Sequence, residues 1–218
     1  PQYVFGHGVE QSRVGWRIEN ELGLDLSYER VSTQAAFLIK EKGSGSIIDT
    51  FVGTEGLAFD AQSLIERFAA HLSAYAQRLG PAPTGRQRIV FPGMEAHAGG
   101  GLLQLLRSDM VARSFGTDVS VFKPKQGERC FSEKLSIVDS RDPEQWRVAP
   151  FDMEGGVRAS LDHSLVDSGL IVAPVASKRD AARYGLAPTG SGLGSISQLP
   201  VTGLGKLAIA PTHETLVD

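Results

Sequence analysis

Apolar residues between Asp60 and Leu79 recur every three to four positions, which is the spacing of one helical face. Asp60 precedes them and can cap the helix, because its carboxylate accepts hydrogen bonds from free N–H groups of the first turn. Gly80 and Pro81 follow, and both residue types end helices. We therefore predict a helix from Asp60 to Leu79. Its apolar face consists of Leu64, Ile65, Phe68, Leu72, Tyr75 and Leu79.

The first fifty residues show the shorter, partly alternating pattern that is typical of β-strands. Ser27–Lys40 is rich in β-branched and aromatic residues, and SIIDTFVG at 46–53 is a second segment of this kind. The polar segment EKGSGS at 41–46 predicts a turn between them. Two further extended pieces flank Gly23. This part of the chain is expected to form a small antiparallel sheet.

The rest of the chain has a weaker pattern, with a buried strand predicted at 88–91 and a helix over about Ala96–Val111. A short amphipathic helix is predicted at about Lys178–Tyr184. Short apolar segments separated by Pro and Gly predict the strands of this part, at 119–122, 129–139, 157–162, 170–176 and 207–212. The fold class is predicted as α+β, with antiparallel β-rich sheets or an open barrel and a few segregated helices. We place a domain boundary between residues 85 and 86.

Composition narrows the functional classes. The chain has 218 residues, 41% of them hydrophobic, and a formal net charge of −3. No dense run of Lys and Arg predicts direct binding to nucleic acid. No apolar stretch approaches the roughly 20 residues that span a bilayer. Cys130 is the single cysteine, which is typical of a reducing compartment. The N-terminus has no signal-peptide pattern and no Met, so we expect that the chain begins within a longer protein or is a processed or trimmed one.

Three stretches resemble, in the same order, the TldD/PmbA family ("modulator of DNA gyrase"). They are LGLDLSYERVSTQAAFLI at 22–39, RCFSEKLSIVDS at 129–140 with APFDMEG at 149–155, and GLIVAPVASKRDAARYGLAPTGSG at 169–192. The resemblance implies that residues 1–85 match the end of the family's N-terminal domain and that 86–218 are an incomplete C-terminal domain. It also implies a cytoplasmic, dimeric metallopeptidase system that processes peptides. No residue here supports a direct action on gyrase.

The resemblance also locates the family's zinc motif, His-Glu-x-x-x-His, in the segment GGLLQLLRSD at 100–109. Gln104 and Asp109 stand at the two His positions, and Leu105 stands at the glutamate. Leucine can neither bind a metal ion nor abstract a proton, and an amide is a poor zinc ligand. We therefore predict no catalytic, metal or cofactor residue in this chain. The family's zinc would belong to a TldD-type partner, and this chain would be a non-catalytic TldE/PmbA-like subunit or fragment.

Other residue combinations are weaker candidates. Glu95 and His97 could belong to a remodelled metal site of an active peptidase, which is one alternative function. Residues 162–164 contain Asp, His and Ser, but neighbours in sequence cannot form a triad. The glycine-rich loop at 189–195 lacks the P-loop Lys-Ser/Thr. Cys130 is expected to pack as a small apolar residue. A β-rich binding module without a role in proteolysis is the other alternative.

Five polar residues in the stretches that carry the resemblance are candidates for a peptide groove or a subunit interface. The partner would be a TldD-type subunit or a second copy of the chain. A structural alternative is that the two acids accept backbone N–H bonds around Gly155 and Gly156. The five candidates are Asp152, Glu154, Arg183, Tyr184 and Thr189.

Overall fold

A computed structural model describes residues 2–77, 84–86, 100–146, 148–194 and 197–210. The chain divides into two compact units. The first unit comprises Pro1–Val14 and Glu29–Met94, and the second comprises Gly15–Tyr28 and Glu95–Asp218. The boundary placed between residues 85 and 86 stays a prediction.

The first sheet has three strands in the order β1-β2-β3. The strands are β1 (Tyr3–Glu19), β2 (Asp25–Glu41) and β3 (Thr50–Gly56). β2 and β3 are antiparallel, so the predicted hairpin is confirmed. The turn between β1 and β2 contains Gly23 with φ +90°, a backbone conformation that favours glycine. The predicted pair of extended pieces around this residue is therefore also confirmed.

Helix α1 (Ala61–Ala76) belongs to the first unit and confirms the periodic pattern. The Asp60 carboxylate accepts the N–H of Ser63 at 3.1 Å, as expected of an N-cap. Leu64 is buried, and Phe68 packs on Phe37 with ring centroids 4.6 Å apart. The predicted end of the helix at Leu79 lies outside the described residues.

The second unit contains shorter elements. Its helices are α2 (Gly100–Asp109), α3 (Ala112–Gly116) and α4 (Lys178–Tyr184), and a 3₁₀ turn lies at Lys123–Lys125. Its strands are β4 (Ile137–Ser140), β5 (Asp162–Asp167), β6 (Leu170–Ile171), β7 (Gly192–Leu193), β8 (Val201–Thr202) and β9 (Lys206–Ile209). They form a four-stranded antiparallel sheet in the order β6-β5-β4-β9 and a separate pair β7-β8.

A hydrophobic core in the second unit joins α2, α3 and the four-stranded sheet. Its buried members are Leu106, Met110, Phe115, Phe122, Ile137, Leu165, Val166, Ile171, Val175 and Leu204. The predicted α+β class with antiparallel, β-rich sheets and a few helices is confirmed. Among the residues that are described, no helix combines the length and apolar character needed to cross a membrane.

Several predicted strands are wrong or too long. Residues 119–122 alternate in burial, since Ser120 and Phe122 are buried while Val119 and Val121 are exposed, but the segment pairs with no strand among the described residues. A carboxylate satisfies the Val121 N–H instead, as described below. In the segment 129–139 only Ile137 onward is a strand, because Cys130 and Phe131 both donate to the carbonyl of Gly169.

The second predicted helix also ends earlier than expected. Residues 96–99 and the predicted strand at 88–91 lie outside the described residues. α2 ends at Asp109, and Val111 has an extended backbone with φ −119° and ψ 147°. Val111 forms a parallel bridge to Val175, and the carbonyl of Val175 accepts the N–H of Ala112. This pairing separates α2 from α3. The short helix predicted at Lys178–Tyr184 is confirmed.

Candidate functional site

The segment at 100–109, which the resemblance aligns with the zinc motif, forms α2. Its Asp109 carboxylate accepts the N–H of Val121 at 3.1 Å and lies 3.0 Å from the hydroxyl of Ser108. Leu105 is 40% exposed and presents only an isobutyl group. Gln104 lies in the same helix, and its side chain is outside the described part. Asp109 therefore has a structural partner in the loop that follows α3.

No three His, Cys, Asp or Glu side chains come close enough to hold a metal ion in the described ranges. The alternative pair, Glu95 and His97, lies outside those ranges. The donor set at the motif positions does not fit a zinc ion, because it supplies an amide, an alkyl group and a carboxylate that already accepts a backbone N–H.

Asp152 organises the turn at 152–156 in the second unit. Its Oδ1 accepts the N–H groups of Glu154 at 2.9 Å and Gly156 at 2.7 Å. Its Oδ2 accepts the N–H of Gly192 at 2.8 Å. The structural alternative expected this of both acids, and it holds for Asp152 but not for Glu154, whose carboxylate accepts the N–H of Lys178. The bond to Gly192 ties the turn to β7. Asp152 is 2% exposed, so its charge is stabilised by three backbone dipoles rather than by water.

A buried ion pair lies beside this turn. Asp139 and Arg158 bond through Oδ2 and Nη2, and their side chains are 0% and 4% exposed. Arg158 also donates to the Ser191 hydroxyl at 2.6 Å and to the Thr189 carbonyl at 2.6 Å. Asp139 accepts the N–H of Gly205 at 2.6 Å. The pair thus connects β4 with the glycine-rich loop.

Glu154 and Thr189 position the start of α4. The Glu154 carboxylate accepts the N–H of Lys178 at 2.6 Å, and the Lys178 ammonium donates to the Glu154 carbonyl at 2.9 Å. Thr189 Oγ1 accepts the N–H of Ala176 at 2.8 Å. Ser177 caps the helix by accepting the N–H of Asp180 at 3.1 Å. Glu154 therefore contacts the first residue of this helix, and Thr189 contacts the segment that leads into it.

A cleft with a volume of about 370 Å³ opens between α3, α4 and β8. The other two candidates, Arg183 and Tyr184, line it. A β-carbon added at Gly116 would overlap the Tyr184 ring, so only glycine lets α3 approach this ring. Arg183 lies over the same ring, 5.3 Å from its centroid. The other lining residues are Val111, Arg113, Ser114, Arg179, Asp180, Val201 and Thr202.

The structure thus divides the predicted candidates. Asp152, Glu154 and Thr189 belong to a hydrogen-bonded framework, which we call the α4 framework, and Arg183 and Tyr184 face the cleft. Whether the five residues bind a peptide or a subunit stays a prediction. Sequence reasoning missed Arg113, Arg158 and Arg179. The i,i+4 spacing of Arg179 and Arg183 in a predicted helix was an available signal, since such residues share a face.

Unpaired buried donors are concentrated in the segment that precedes the turn. Arg141 is 2% exposed and donates through Nη1 to the carbonyl of Phe151 at 3.0 Å. Its Nε and Nη2, and Nε1 of Trp146, have no hydrogen-bond partner among the residues that the structure describes. Burial lowers the pKa of Arg141, the charge of Arg158 lowers it further, and Asp139 and Asp152 oppose the shift.

The remaining candidates lie in the second unit. His163 lies on β5 with Asp162 and Ser164 beside it on the strand, and its Nε2 is 3.4 Å from the carbonyl of Ala173. Burial is the main cause that lowers the pKa of His163. Cys130 is a free, half-buried thiol that packs against the core of the second unit, as expected. The loop at 189–195 contributes Thr189, Ser191 and Gly192 to the α4 framework and its neighbours.

Solved structures share this fold. TldE from Thermococcus kodakarensis superposes with a TM-score of 0.72 and 19% identity over 96% of this chain and 48% of that chain. A candidate modulator of a DNA gyrase from Thermotoga maritima gives a TM-score of 0.73 with 17% identity, covering 95% of this chain and 47% of that chain. A further one from Bacteroides thetaiotaomicron gives 0.67 and 16%, covering 97% and 46%.

Sequence comparison gives a metalloprotease of Methanothermobacter thermautotrophicus, 26% identical over 166 residues. The match covers 73% of this chain and 35% of the relative, so the chain spans less than half the length of these relatives. The fold and the matches define a metallopeptidase-related α+β protein. Residues 84–218 match the PmbA/TldA metallopeptidase C-terminal domain. The chain belongs to the TldD/PmbA family, as the sequence stretches predicted.

Proposed function

We propose that this chain is part of a non-catalytic, TldE/PmbA-like subunit that supports a zinc-bearing peptidase partner. The observation that carries the proposal is the set of side chains that α2 has at the positions aligned with the zinc motif. The Asp109 carboxylate accepts the N–H of Val121, and Leu105 stands where the resemblance puts the general base. A metallopeptidase needs convergent imidazoles and a base close to the metal-bound water. The described side chains of α2 provide neither.

The comparisons support this proposal at the level of family and fold. One structure of the same fold carries the name TldE, and one sequence relative carries the name metalloprotease. Peptide processing, a cytoplasmic location and a dimer with a TldD-type subunit or a second copy are part of the proposal. The activity of the whole protein is proposed as well, because the chain covers only part of each relative.

Metal content and peptidase activity test the proposal. We expect the purified full-length protein to hold substoichiometric zinc and to leave a fluorogenic peptide uncleaved. Addition of a TldD-type partner with an intact His-Glu-x-x-x-His motif should give a co-eluting complex that cleaves the peptide. The control is the same partner with the motif glutamate replaced by glutamine, which should form the complex and lose cleavage.

Two outcomes would contradict the proposal and favour its alternatives. Stoichiometric zinc with peptide cleavage by the protein alone, lost in His97→Ala, would assign an active peptidase with a remodelled site. Failure to form any dimer, by size-exclusion chromatography with and without the partner, would favour a β-rich binding module. Each alternative therefore has its own measurement.

A further inference from the structure

The cleft between α3 and α4 concentrates positive charge in a chain whose net charge is −3. Arg113 comes from α3, and Arg179 and Arg183 come from α4, one helical turn apart. Like charges at this spacing disfavour a helix. All three side chains are exposed at a concave surface. Arg179 and Arg183 therefore repel each other along α4, and a bound anion would offset this repulsion.

The three guanidinium groups have no carboxylate partner among the described residues. Within the described part of the chain, none of them forms an ion pair or a side-chain hydrogen bond. The acid that lines the cleft, Asp180, is 8% exposed and accepts the Thr202 hydroxyl at 2.6 Å. Its carboxylate is therefore held by β8. The lining carries three positive charges and one negative charge, which leaves an excess of positive charge.

The shape of the cleft suits part of a peptide rather than a flat protein surface. Its volume of about 370 Å³ lies in the usual range of ligand pockets, about 300–1,000 Å³. Val111 and Val201 give it apolar walls. The Tyr184 ring, fixed against Gly116, holds the Arg183 guanidinium by a cation–π contact. Guanidinium groups fit carboxylates in two-point hydrogen bonds, which a point charge cannot form.

We propose that the cleft binds a carboxylate of the peptide substrate, either its C-terminal carboxylate or an acidic side chain. Arg113, Arg179 and Arg183 would supply the charge-assisted hydrogen bonds. The α4 framework, through Glu154 and Thr189, would keep α4 in place while the peptide binds. This inference rests on the proposed role in peptide processing and adds a substrate class to it.

Binding of matched peptides to the full-length protein, alone and with its TldD-type partner, tests this inference. The probes are three N-acetylated, unlabelled alanine–leucine octapeptides, whose binding is measured by isothermal titration calorimetry: one with a free C-terminus, its C-terminal amide, and an amidated peptide with one internal aspartate. We expect the fully amidated neutral peptide to bind about tenfold more weakly than at least one carboxylate peptide, which is the usual size of a charge-assisted hydrogen bond. The preferred carboxylate peptide identifies which of the two carboxylates the cleft takes.

Variants of the protein test the location. Arg179→Gln/Arg183→Gln should weaken binding of the preferred peptide about tenfold and abolish the difference between it and the neutral peptide. The matched control is Arg129→Gln, since Arg129 is exposed in the same unit and lies outside the cleft. It should bind as the wild type does. Raising the salt concentration should weaken only the carboxylate-dependent part of the affinity.

Three results would overturn the inference. Equal affinity for all three peptides, including no binding to any of them, would remove the carboxylate requirement. A double variant that keeps the wild-type preference would place the requirement outside the cleft. A double variant that binds the peptides normally but no longer assembles with the TldD-type partner would assign the arginines to a subunit interface. Stoichiometric zinc in the protein would contradict the proposed non-catalytic role while leaving a carboxylate-selective cleft intact, so the two failures are distinguishable.

Discussion

The two units of the chain are stabilised in different ways. In the first unit, α1 packs on β2 and β3 in a small apolar core of Ala35, Val52 and Leu64 with Phe37 and Phe68 around it. In the second unit, buried charge accompanies a larger apolar core. Of the nine buried polar or charged residues in the described part, eight lie in the second unit, and Ser32 is the exception. The candidate functional residues belong to the second unit, where polar groups fix irregular backbone.

This difference has a physical cause. Long strands and α1 satisfy their own backbone groups, so the first unit needs only apolar packing. The second unit has many short elements and turns, whose N–H groups need other acceptors. Asp152 accepts three of them and Asp139 accepts one. Buried carboxylates therefore take the place of ladder hydrogen bonds.

The largest expected effect comes from breaking the buried pair in the second unit. Arg158→Met leaves the Asp139 carboxylate buried without its cation, and we expect a loss of about 3–5 kcal/mol in the free energy of unfolding. Urea unfolding followed by tryptophan fluorescence measures it, because Trp16 and Trp146 both lie in the second unit. Arg129→Met is the exposed control. A loss below about 1 kcal/mol, typical of surface pairs, would contradict the role of buried charge.

The matching test in the first unit removes apolar packing. Leu64 is 4% exposed, and Leu64→Ala should cost about 3 kcal/mol because it leaves a cavity under α1. Hydrogen exchange of the α1 amides is the measurement. Its neighbour Ile65 is 52% exposed, so Ile65→Ala should cost less than about 1 kcal/mol. Equal loss of protection in the two variants would show that α1 is not held by this core.

The same difference between the two units explains which of their elements the sequence predicts. Periodicity predicted α1, the Asp60 cap and the β2–β3 hairpin because each depends on residues close in sequence. It also predicted α4, which has a Ser cap and Gly185 at its C-terminus with φ +68°. It failed at 119–122, where Asp109, twelve residues from Val121, takes the N–H that a strand would have paired. The framework joins residues up to 40 positions apart, such as Asp152 and Gly192, which periodicity cannot detect.

A smaller effect is expected when the side chain that caps each of two helices is removed. Asp60 caps α1 at an exposed position, and Asp60→Ala should cost about 1 kcal/mol. Ser177 caps α4 at 0% exposure, and its Oγ also lies 3.1 Å from the Thr202 hydroxyl. Ser177→Ala should cost about 2 kcal/mol, because the Asp180 N–H loses its acceptor in a site that water does not reach. Urea unfolding of both variants gives the two values. Equal costs would mean that burial adds nothing to the cap.

The smallest effect is a pH dependence in the second unit. Burial, followed by the charge of Arg158, lowers the pKa of His163 in the folded chain, although the Ala173 carbonyl and Asp139 oppose this. The unfolded chain therefore binds the proton more readily, and stability falls as pH drops below about 6.5, by at most about 1.4 kcal/mol per pH unit. The midpoint of urea unfolding should fall less in His163→Gln than in the wild type between about pH 7.5 and about pH 5.5. Parallel curves would contradict this sign.

The close approach of Gly116 to the Tyr184 ring makes the cleft visible to nuclear magnetic resonance without any label in the ligand. A glycine methylene this near an aromatic face experiences the ring current, so its two protons should resonate far from their ordinary positions and far from each other. Any event that shifts α4 against α3 changes that separation. The separation of the two Gly116 proton resonances therefore reports how far the cleft opens.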